Sequence, residues 1–459
     1  MLFKEEIRRA RFLLLAVIAL YLAIGTLYAV HTPAWQAPDE PAHYNYIRQL
    51  AQGRLPVIEP ADYDEAYRAA IVSAGFGPGA SIEPLTYEDW QPPLYYLLQT
   101  PLFVLFDGAL LPLRLLSLLL GAGVVVAAYG AARAIWPDRV WLALSAAIFV
   151  AFLPQHVAIL ASVNNDSLAE LLIALMLILL LRLADADRGD VPSAEAEAVP
   201  RAWLAVGVLL GLGFLTKGTA YLMAPIVALA LFRYWRDWSR LLRAGALAFL
   251  PAALLGAPWW LRNVVVYGGL DPLATQAHDA VVVGQLRTAD WMARVGAPTA
   301  VASFARTTFR SFWGQFGWMG VVMDSRIYTL LFLFSVAVLL GLLLALHLRE
   351  PVQPASSRRP APTQIALLLA LLALNIALYL GYNVTFVQHQ GRYLFPALIP
   401  VAIGVAMGVG VWVRLAAGAR VQAVLTPLAL GVLLVALDLL ALFCFILPQL
   451  AGAGRCPLF

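Results

Sequence analysis

Long apolar runs separated by short polar segments extend along almost the whole chain. The first run, Phe12–Val30, is long enough to cross a bilayer at about 1.5 Å per residue. The pattern predicts an all-α, polytopic transmembrane bundle of about eleven helices. The predicted crossings are Phe12–Val30, Leu110–Ala132, Val140–Val157, Asp166–Leu183, Ala202–Leu215, Thr219–Phe232, Ala244–Leu261, Ile327–Leu346, Gln364–Tyr382, Tyr393–Val413 and Val424–Leu447.

Composition supports the same fold class. Hydrophobic residues make up 62% of the 459 residues and charged residues only 13%, a balance that excludes an ordinary soluble domain. The net charge of +4 does not indicate nucleic-acid binding, because the basic residues lie in short loops between apolar runs. We therefore expect residues 1–459 to form a single integral membrane domain.

The distribution of basic residues predicts the orientation. Arg8, Arg9 and Arg11 precede the first apolar run, which places the N-terminus in the cytoplasm under the positive-inside rule. The apolar segment Pro92–Phe106 spans only about 21 Å as a helix, so we interpret it as shallow or re-entrant. If it crossed fully, the basic clusters from Arg133 onward would lie outside.

This topology leaves two long loops on the external face, residues 31–92 and residues 262–326. The first loop is expected to carry the catalytic groups and to form juxtamembrane helices. The second contains an aromatic and glycine-rich run at 309–318, which is typical of a segment lying in the membrane interface. We predict that the functional side of the protein is the external side of a cytoplasmic membrane.

Two adjacent carboxylates, Asp39 and Glu40, follow the first apolar run. Pro41 suits the first turn of a helix, so Asp39 or Glu40 is expected at the N-cap. His43 then lies one turn after Asp39, and Tyr44 one turn after Glu40. The helix dipole would favour an ionised carboxylate, which a general base requires. The alternative is a capped interfacial helix with solvated charges.

Three cations occupy costly positions near the same predicted face. Arg114 lies a turn inside an apolar helix, Lys217 lies between two apolar runs, and Arg392 opens a helix. Asp166 begins another helix on that side, where helix capping is the simpler explanation. Each cation alone could snorkel to lipid headgroups. Together with the carboxylates they match a transferase that needs a base for an acceptor and cations for a leaving phosphate.

Five segments in this order resemble the GT-C superfamily, and most closely its protein-O-mannosyltransferase and aminoarabinose-transferase branch (family 39-like) with related bacterial proteins. They are Pro-Asp-Glu-Pro-Ala-His-Tyr at 38–44, Gln-Pro-Pro-Leu-Tyr-Tyr at 91–96, Arg114, Lys217-Gly218, and Gly-Arg-Tyr-Leu-Phe-Pro at 391–396.

The resemblance implies a bundle of GT-C type and an inverting transfer of a sugar from a polyprenyl-phosphate donor to an acceptor hydroxyl. It assigns the catalytic base to Asp39, its support to Glu40, and the donor phosphate to Arg114, Lys217 and Arg392. Further substrate contacts are expected from a set of residues around these: His43, Tyr44, Tyr95, Asp166 and Tyr393. The acceptor could be a lipid, a polysaccharide or a protein.

Two alternatives stay open at this point. No cofactor is required, but a divalent cation held by Asp39, Glu40, His43 and Asp166 is the metal hypothesis. The other is a transporter or flippase of lipid-linked glycans without chemistry, which would more typically bury paired charges near mid-membrane and show internal repeats. The chain also departs from the family at Gln91, where a basic residue often precedes the Pro-Pro-Leu-Tyr motif.

Overall fold

The structure is a computed structural model that describes residues 2–77, 79–185, 193–347 and 359–452. The α-helices are α1 Leu2–His31, α2 Glu40–Ala51, α3 Glu65–Ser73, α4 Leu94–Leu105, α5 Leu110–Ile135, α6 Val140–Ala151, α7 Pro154–Leu160, α8 Asp166–Asp185, α9 Ser193–Phe214, α10 Met223–Leu231, α11 Trp238–Tyr267, α12 Thr275–Val281, α13 Thr288–Val295, α14 Ala297–Trp313, α15 Ser325–His347, α16 Pro362–Thr385, α17 Leu398–Ala417, α18 Ala419–Leu440 and α19 Leu447–Leu450. In the described ranges, one hairpin of two-residue strands, β1 Gln315–Phe316 and β2 Val321–Val322, completes the fold. The predicted all-α class is confirmed.

Eight helices of the described ranges are long and apolar enough to cross a membrane, so the chain is a multi-pass membrane protein. They are Arg8–His31, Leu110–Ile135, Asp166–Asp185, Trp238–Tyr267, Ser325–His347, Pro362–Thr385, Gly391–Ala417 and Ala419–Leu450.

The predicted count of about eleven is not confirmed. Val140–Val157, predicted as one crossing, is instead the pair α6 and α7, bent by 63°, because Pro154 disfavours helical geometry in the residue before it. Counting that pair as one span gives nine. Two further predicted crossings fall on the shorter apolar helices Val199–Phe214 and Gly218–Tyr234, which the non-helical residues around Lys217 separate.

Close helix packing depends on glycines at the crossings. A Cβ on Gly408 of α17 would lie 2.3 Å from the backbone oxygen of Val338 in α15, and one on Gly207 of α9 would lie 2.5 Å from that of Leu247 in α11. Small residues allow helix backbones to approach closely in a membrane, where packing replaces the hydrophobic effect between helices. The bundle core lies around α5, α6, α8 and α17, where side chains such as Phe149 are fully buried.

The two long loops fold into short elements at one end of the bundle. The first contains α2, the 3₁₀ turn Pro60–Asp62 and α3, and the second contains α12, α13, α14 and the hairpin. Trp318 joins them: its Nε1 donates to the backbone oxygen of Trp35 at 2.9 Å, and the Arg68 guanidinium lies 5.7 Å from its ring centre. These contacts bring both loops over a common cavity.

Candidate active site

Asp39 occupies the N-cap of α2, and Pro41 lies in the first turn, as the sequence predicts. Its backbone is left-handed, with φ of 66°, a conformation that costs energy for most residues but that Asp and Asn tolerate comparatively well. The side chain makes no capping bond to the helix. Its Oδ2 instead accepts a bond of 2.5 Å from Nη2 of Arg392, and its Oδ1 accepts one of 3.0 Å from the Tyr87 hydroxyl.

The electrostatics of Asp39 follow from these partners. Burial acts to raise the pKa of Asp39, but the charge and hydrogen bond of the Arg392 guanidinium outweigh it and lower the pKa to about 2. The Asp39 carboxyl is therefore ionised at neutral pH. Its weak basicity depends on Arg392, and removing that guanidinium would strengthen it as a base.

Arg392 is held by tight packing of the 3₁₀ segment Gly391–Ala397 against α14. A Cβ on Gly391 would lie 2.4 Å from the backbone nitrogen of Phe312, so only glycine fits there without displacement. The Gly391 nitrogen also donates to Oγ of Ser311 at 2.7 Å. The Arg392 side chain is 6% exposed, and its buried Nε has no partner in the described part of the chain.

Glu40 points away from Asp39 and is fully buried against Arg114. The Arg114 guanidinium donates from Nε and Nη2 to the two carboxylate oxygens at 2.8 and 2.6 Å. Its other N–H groups donate to the backbone oxygens of Ala29, Thr32 and Pro33. All five donors are thus used within the protein, so Arg114 fixes Glu40 and the end of α1. The geometry lends no support to its predicted role at a donor phosphate.

Lys217 pairs with Asp166 at the start of α8, with Nζ and Oδ1 2.6 Å apart. Both side chains are about one-sixth exposed, at 16% and 17%. Lys217 has an extended backbone, and it lies between the end of α9 at Phe214 and the 3₁₀ turn Gly218–Leu222. Its positive charge contributes to lowering the pKa of His43 and opposes the rise in the pKa of Glu88.

His43 belongs to a buried hydrogen-bonded group between the Asp39–Arg392 and Lys217–Asp166 ion pairs. Its Nδ1 lies 2.9 Å from the Tyr96 hydroxyl, which also accepts a bond of 3.3 Å from Nδ2 of Asn165, the residue before Asp166. Burial and then the positive charge of Lys217 lower the pKa of His43 to about 3. A neutral His43 is therefore part of the scaffold between Asp39 and Asp166.

A cavity of about 330 Å³ lies above Asp39 and Arg392. It is lined by both long loops and by the segments around Tyr382 and Tyr393. The loop residues in its wall include Asp39, Tyr63, Glu65, Arg68, Tyr87, Glu88, His278, Gln285 and Trp318. Sequence reasoning identified Asp39, Arg392 and Tyr393 of this lining. It missed Tyr87 and Glu88, although these polar residues lie only four and three positions before Gln91, the first residue of the Gln-Pro-Pro-Leu-Tyr-Tyr motif.

Glu88 also lines the cavity, and the Gln91 side chain hydrogen-bonds its carboxyl group. Its Oε2 is buried without a hydrogen-bond partner in the described ranges. Burial, and then the negative charge of Asp39, raise the pKa of Glu88 to about 7. Two of the three carboxyl groups in the cavity wall thus have opposite tendencies: Asp39 is ionised, and Glu88 changes charge near neutral pH.

The other predicted contacts lie outside the cavity wall. The Tyr44 hydroxyl donates to the backbone oxygen of Gly108 at 2.7 Å. The Tyr95 hydroxyl forms a buried hydrogen bond of 2.7 Å with Oγ of Ser117, between α4 and α5. For the metal hypothesis, the described residues contain no group of three or more His, Cys, Asp or Glu side chains placed to hold a metal ion. Asp39, Glu40 and Asp166 each face a cation instead.

Residues 90–261 match the family model described as dolichyl-phosphate-mannose-protein mannosyltransferase. A curated relative from Pseudomonas aeruginosa, an undecaprenyl phosphate-alpha-4-amino-4-deoxy-L-arabinose arabinosyl transferase, is 33% identical over 157 residues, which cover 34% of this chain and 27% of the relative. An enzyme of the same name from Sodalis glossinidius is 46% identical over 61 residues, covering 13% of this chain and 11% of that one. The matched region thus spans about a quarter or less of these relatives.

Two solved structures share the fold over nearly the whole chain. ArnT from Cupriavidus metallidurans bound to undecaprenyl phosphate superposes with a TM-score of 0.54 at 16% identity, over 95% of this chain and 73% of that one. The archaeal oligosaccharyltransferase AglB from Archaeoglobus fulgidus, in complex with an inhibitory peptide and a dolichol-phosphate, gives 0.54 at 15%, over 97% and 56%. At sequence identities of 15–16%, the structural similarity establishes the fold alone.

Proposed function

We propose that this chain is a glycosyltransferase of the GT-C type, which moves a sugar from a polyprenyl-phosphate donor to an acceptor hydroxyl. The reaction takes place on the external side of a bacterial cytoplasmic membrane. The observation that carries the proposal is the ion pair between Asp39 and Arg392 in the wall of a cavity that both long loops line. It provides a carboxylate and a cation at one point, the two groups that the transfer needs.

The chemical step is a single displacement. Asp39 takes the proton of the acceptor hydroxyl as its oxygen attacks the anomeric carbon of the donor sugar. The bond between that carbon and the phosphate oxygen breaks, and polyprenyl phosphate leaves with the electron pair. Because the attacking oxygen enters opposite the leaving phosphate, the configuration at the anomeric carbon inverts.

Arg392 and Lys217 are the proposed ligands of the donor phosphate. Each is paired with a carboxylate, Arg392 with Asp39 and Lys217 with Asp166. A donor phosphate would attract both cations and weaken these pairs. Because Arg392 is what lowers the pKa of Asp39, its movement toward the phosphate would make Asp39 a stronger base when the donor is present. Binding of the donor would thereby activate the base.

The cavity wall suits a saccharide. The rings of Tyr63, Trp318 and Tyr382, and the amides of Gln285 and Gln388, line the same space. Aromatic side chains with a few polar groups are typical of small-molecule sites, where the polar groups fix the orientation of the ligand. The polyprenyl chain stays in the bilayer, since each buried CH₂ is worth about 0.8 kcal/mol. The acceptor, whether on a lipid, a polysaccharide or a protein, reaches the cavity from the aqueous side.

This mechanism needs no metal ion. Of the residues that the divalent-cation hypothesis names, Asp39, Glu40 and Asp166 each face a guanidinium or ammonium group. We expect EDTA to leave turnover within twofold of the untreated enzyme. A loss that added Mg²⁺ or Mn²⁺ restores would instead support the divalent-cation hypothesis.

The test is a transfer assay with the purified protein in nanodiscs. A panel of undecaprenyl-phosphate sugars, including 4-amino-4-deoxy-arabinose and mannose, is supplied with lipid, glycan and peptide acceptors. We expect release of undecaprenyl phosphate from at least one donor, and its loss in Asp39→Asn. Donor binding with movement of the intact lipid across the bilayer, and without bond cleavage, would favour the transporter hypothesis.

A further inference from the structure

A second cavity lies at the opposite end of the bundle from Asp39. It has a volume of about 480 Å³ and is formed by α1, α5 and α8 with the turn that follows α5. Three arginines from three different helices converge on it: Arg11, Arg133 and Arg182. Arg11 lies 20 residues before the end of α1 at His31, which corresponds to about 30 Å along the helix. The cavity is therefore a full bundle length away from the proposed active site.

The three arginines give the wall of this cavity its positive charge. None of them forms an ion pair with a described carboxylate, and the described lining of the cavity contains no acidic side chain. Arg11 and Arg182 are exposed, and Arg133 is half-buried beside the Tyr129 ring, 5.9 Å from its centre. The concentrated positive charge calls for an anionic ligand rather than an internal partner.

Two of the three arginines lie at the C-terminal ends of helices, which favour positive charge. Arg133 lies in the last turn of α5 and Arg182 in the last turn of α8, where the negative ends of the helix dipoles stabilise positive charge. The remaining wall is apolar or uncharged, with Ala10, Val126 and Ala134. A basic rim over an apolar wall between membrane helices matches a lipid whose phosphate meets the arginines while its chains follow the helices.

We propose that this cavity binds the headgroup of a doubly anionic phospholipid of the cardiolipin class. Three guanidinium groups offer more positive charge and more donors than one phosphodiester can accept. Two phosphates joined by a short glycerol bridge would satisfy them within one cavity. Snorkelling arginines would contact any anionic headgroup without a preference for two phosphates. Preference for a dianionic headgroup is therefore the property that distinguishes a built site. This inference is independent of the proposed glycosyltransferase activity.

The experiment compares the full chain with a triple variant, Arg11→Gln, Arg133→Gln and Arg182→Gln. Affinity is measured by native mass spectrometry and by thermal shift in detergent with tetraoleoyl cardiolipin, with phosphatidylglycerol at equal phosphate, and with inorganic phosphate. The matched control is Arg9→Gln, Arg236→Gln and Arg243→Gln, which removes the same charge from exposed arginines outside the cavity. Arg182→Gln is also tested alone, because Arg182 is exposed and its replacement is least able to disturb folding.

The wild type and the control are expected to bind cardiolipin more tightly than phosphatidylglycerol. The triple variant should lose about a hundredfold in affinity, at roughly one factor of five for each arginine. Arg182→Gln should lose about fivefold. Equal cardiolipin binding by wild type and triple variant, or an equal loss in the control, would overturn the site. Equal affinity for phosphatidylglycerol would overturn the two-phosphate assignment, and equal stabilisation by inorganic phosphate would overturn the lipid itself.

Discussion

Asp39 and Arg392 lie 353 residues apart in the chain, yet Oδ2 and Nη2 of their side chains are 2.5 Å apart. The pair closes the first long loop onto the segment that opens α17. It also sets the charge state of Asp39, whose pKa Arg392 lowers to about 2 against the effect of burial. The proposed base and one of the proposed phosphate ligands are thus coupled before any substrate binds.

Asp39→Asn is expected to reduce kcat by about 10²–10⁴-fold, the range typical for loss of a general base. Asn tolerates the left-handed backbone at this position and keeps the size of the side chain, so folding and donor binding should be nearly unchanged. Turnover and thermal unfolding would be measured together. Asp64→Asn, at the N-cap of α3 in the same loop, is the control and should retain wild-type kcat. Near-normal turnover of Asp39→Asn would remove Asp39 from the mechanism.

Lys217→Gln is expected to raise the KM for the donor by about tenfold or more, because a charge-assisted contact to phosphate in a partly buried site is lost. Lys217→Arg should rescue only in part, since the planar guanidinium does not fit a site shaped for an ammonium. KM and kcat for the donor would be compared at one lipid composition. If both variants match the wild type, Lys217 only anchors Asp166, and the phosphate role belongs to Arg392.

Arg114→Met should destabilise the fold by about 3–5 kcal/mol, since it leaves the buried Glu40 carboxylate without its cation. Unfolding in detergent would be followed by intrinsic fluorescence. Arg48→Met is the matched control: its partner Glu83 is exposed and 3.3 Å away, so its loss should cost about 0–1 kcal/mol. Adding Glu40→Gln to Arg114→Met should recover part of the stability. A cost no larger than that of Arg48→Met would contradict the structural role of the Glu40–Arg114 pair.

The pH dependence of stability should report on Glu88. Burial and the charge of Asp39 raise the pKa of Glu88 to about 7, and burial raises that of neighbouring Asp89 to about 8. An unfolded carboxyl group has a pKa of about 4, so the folded state holds protons that the unfolded state has released. Stability from these groups is present at low pH and is lost as pH rises from about 4 to about 8.

His43, whose folded pKa of about 3 lies below the unfolded histidine value of about 6.5, adds stability as pH rises to about 6.5. The Tm of the wild type should therefore fall above about pH 6.5, and Glu88→Gln should make the fall shallower, with Asp89 supplying the remainder. Glu83→Gln, an exposed carboxylate of the same loop, is the control and should leave the slope unchanged. A slope in Glu88→Gln identical to the wild-type slope would show that Glu88 ionises normally in the folded protein.

Several features of the fold could be predicted from the sequence alone. The length and composition of the apolar runs predict a helical membrane protein, because a helix must satisfy its own backbone groups in lipid. Pro41 correctly predicts the start of α2, since proline in a first turn is a local constraint. The length of an apolar run predicts a crossing less well where the helix is interrupted. Pro154 bends one predicted span by 63°, and Lys217 separates two helices that are each shorter than a crossing.

Pairing of the charges was decided only by the tertiary structure. In sequence, Asp39 and Glu40 are neighbours, and Arg114, Lys217 and Arg392 are three equivalent candidates for a phosphate. In the fold, Asp39 faces the cavity with Arg392, whereas Glu40 turns inward and accepts two hydrogen bonds from Arg114. Which carboxylate meets which cation depends on the direction of each side chain at a helix start and on backbone approaches such as that of Gly391 to α14. These are long-range packing relationships, and hydrophobic periodicity carries no information about them.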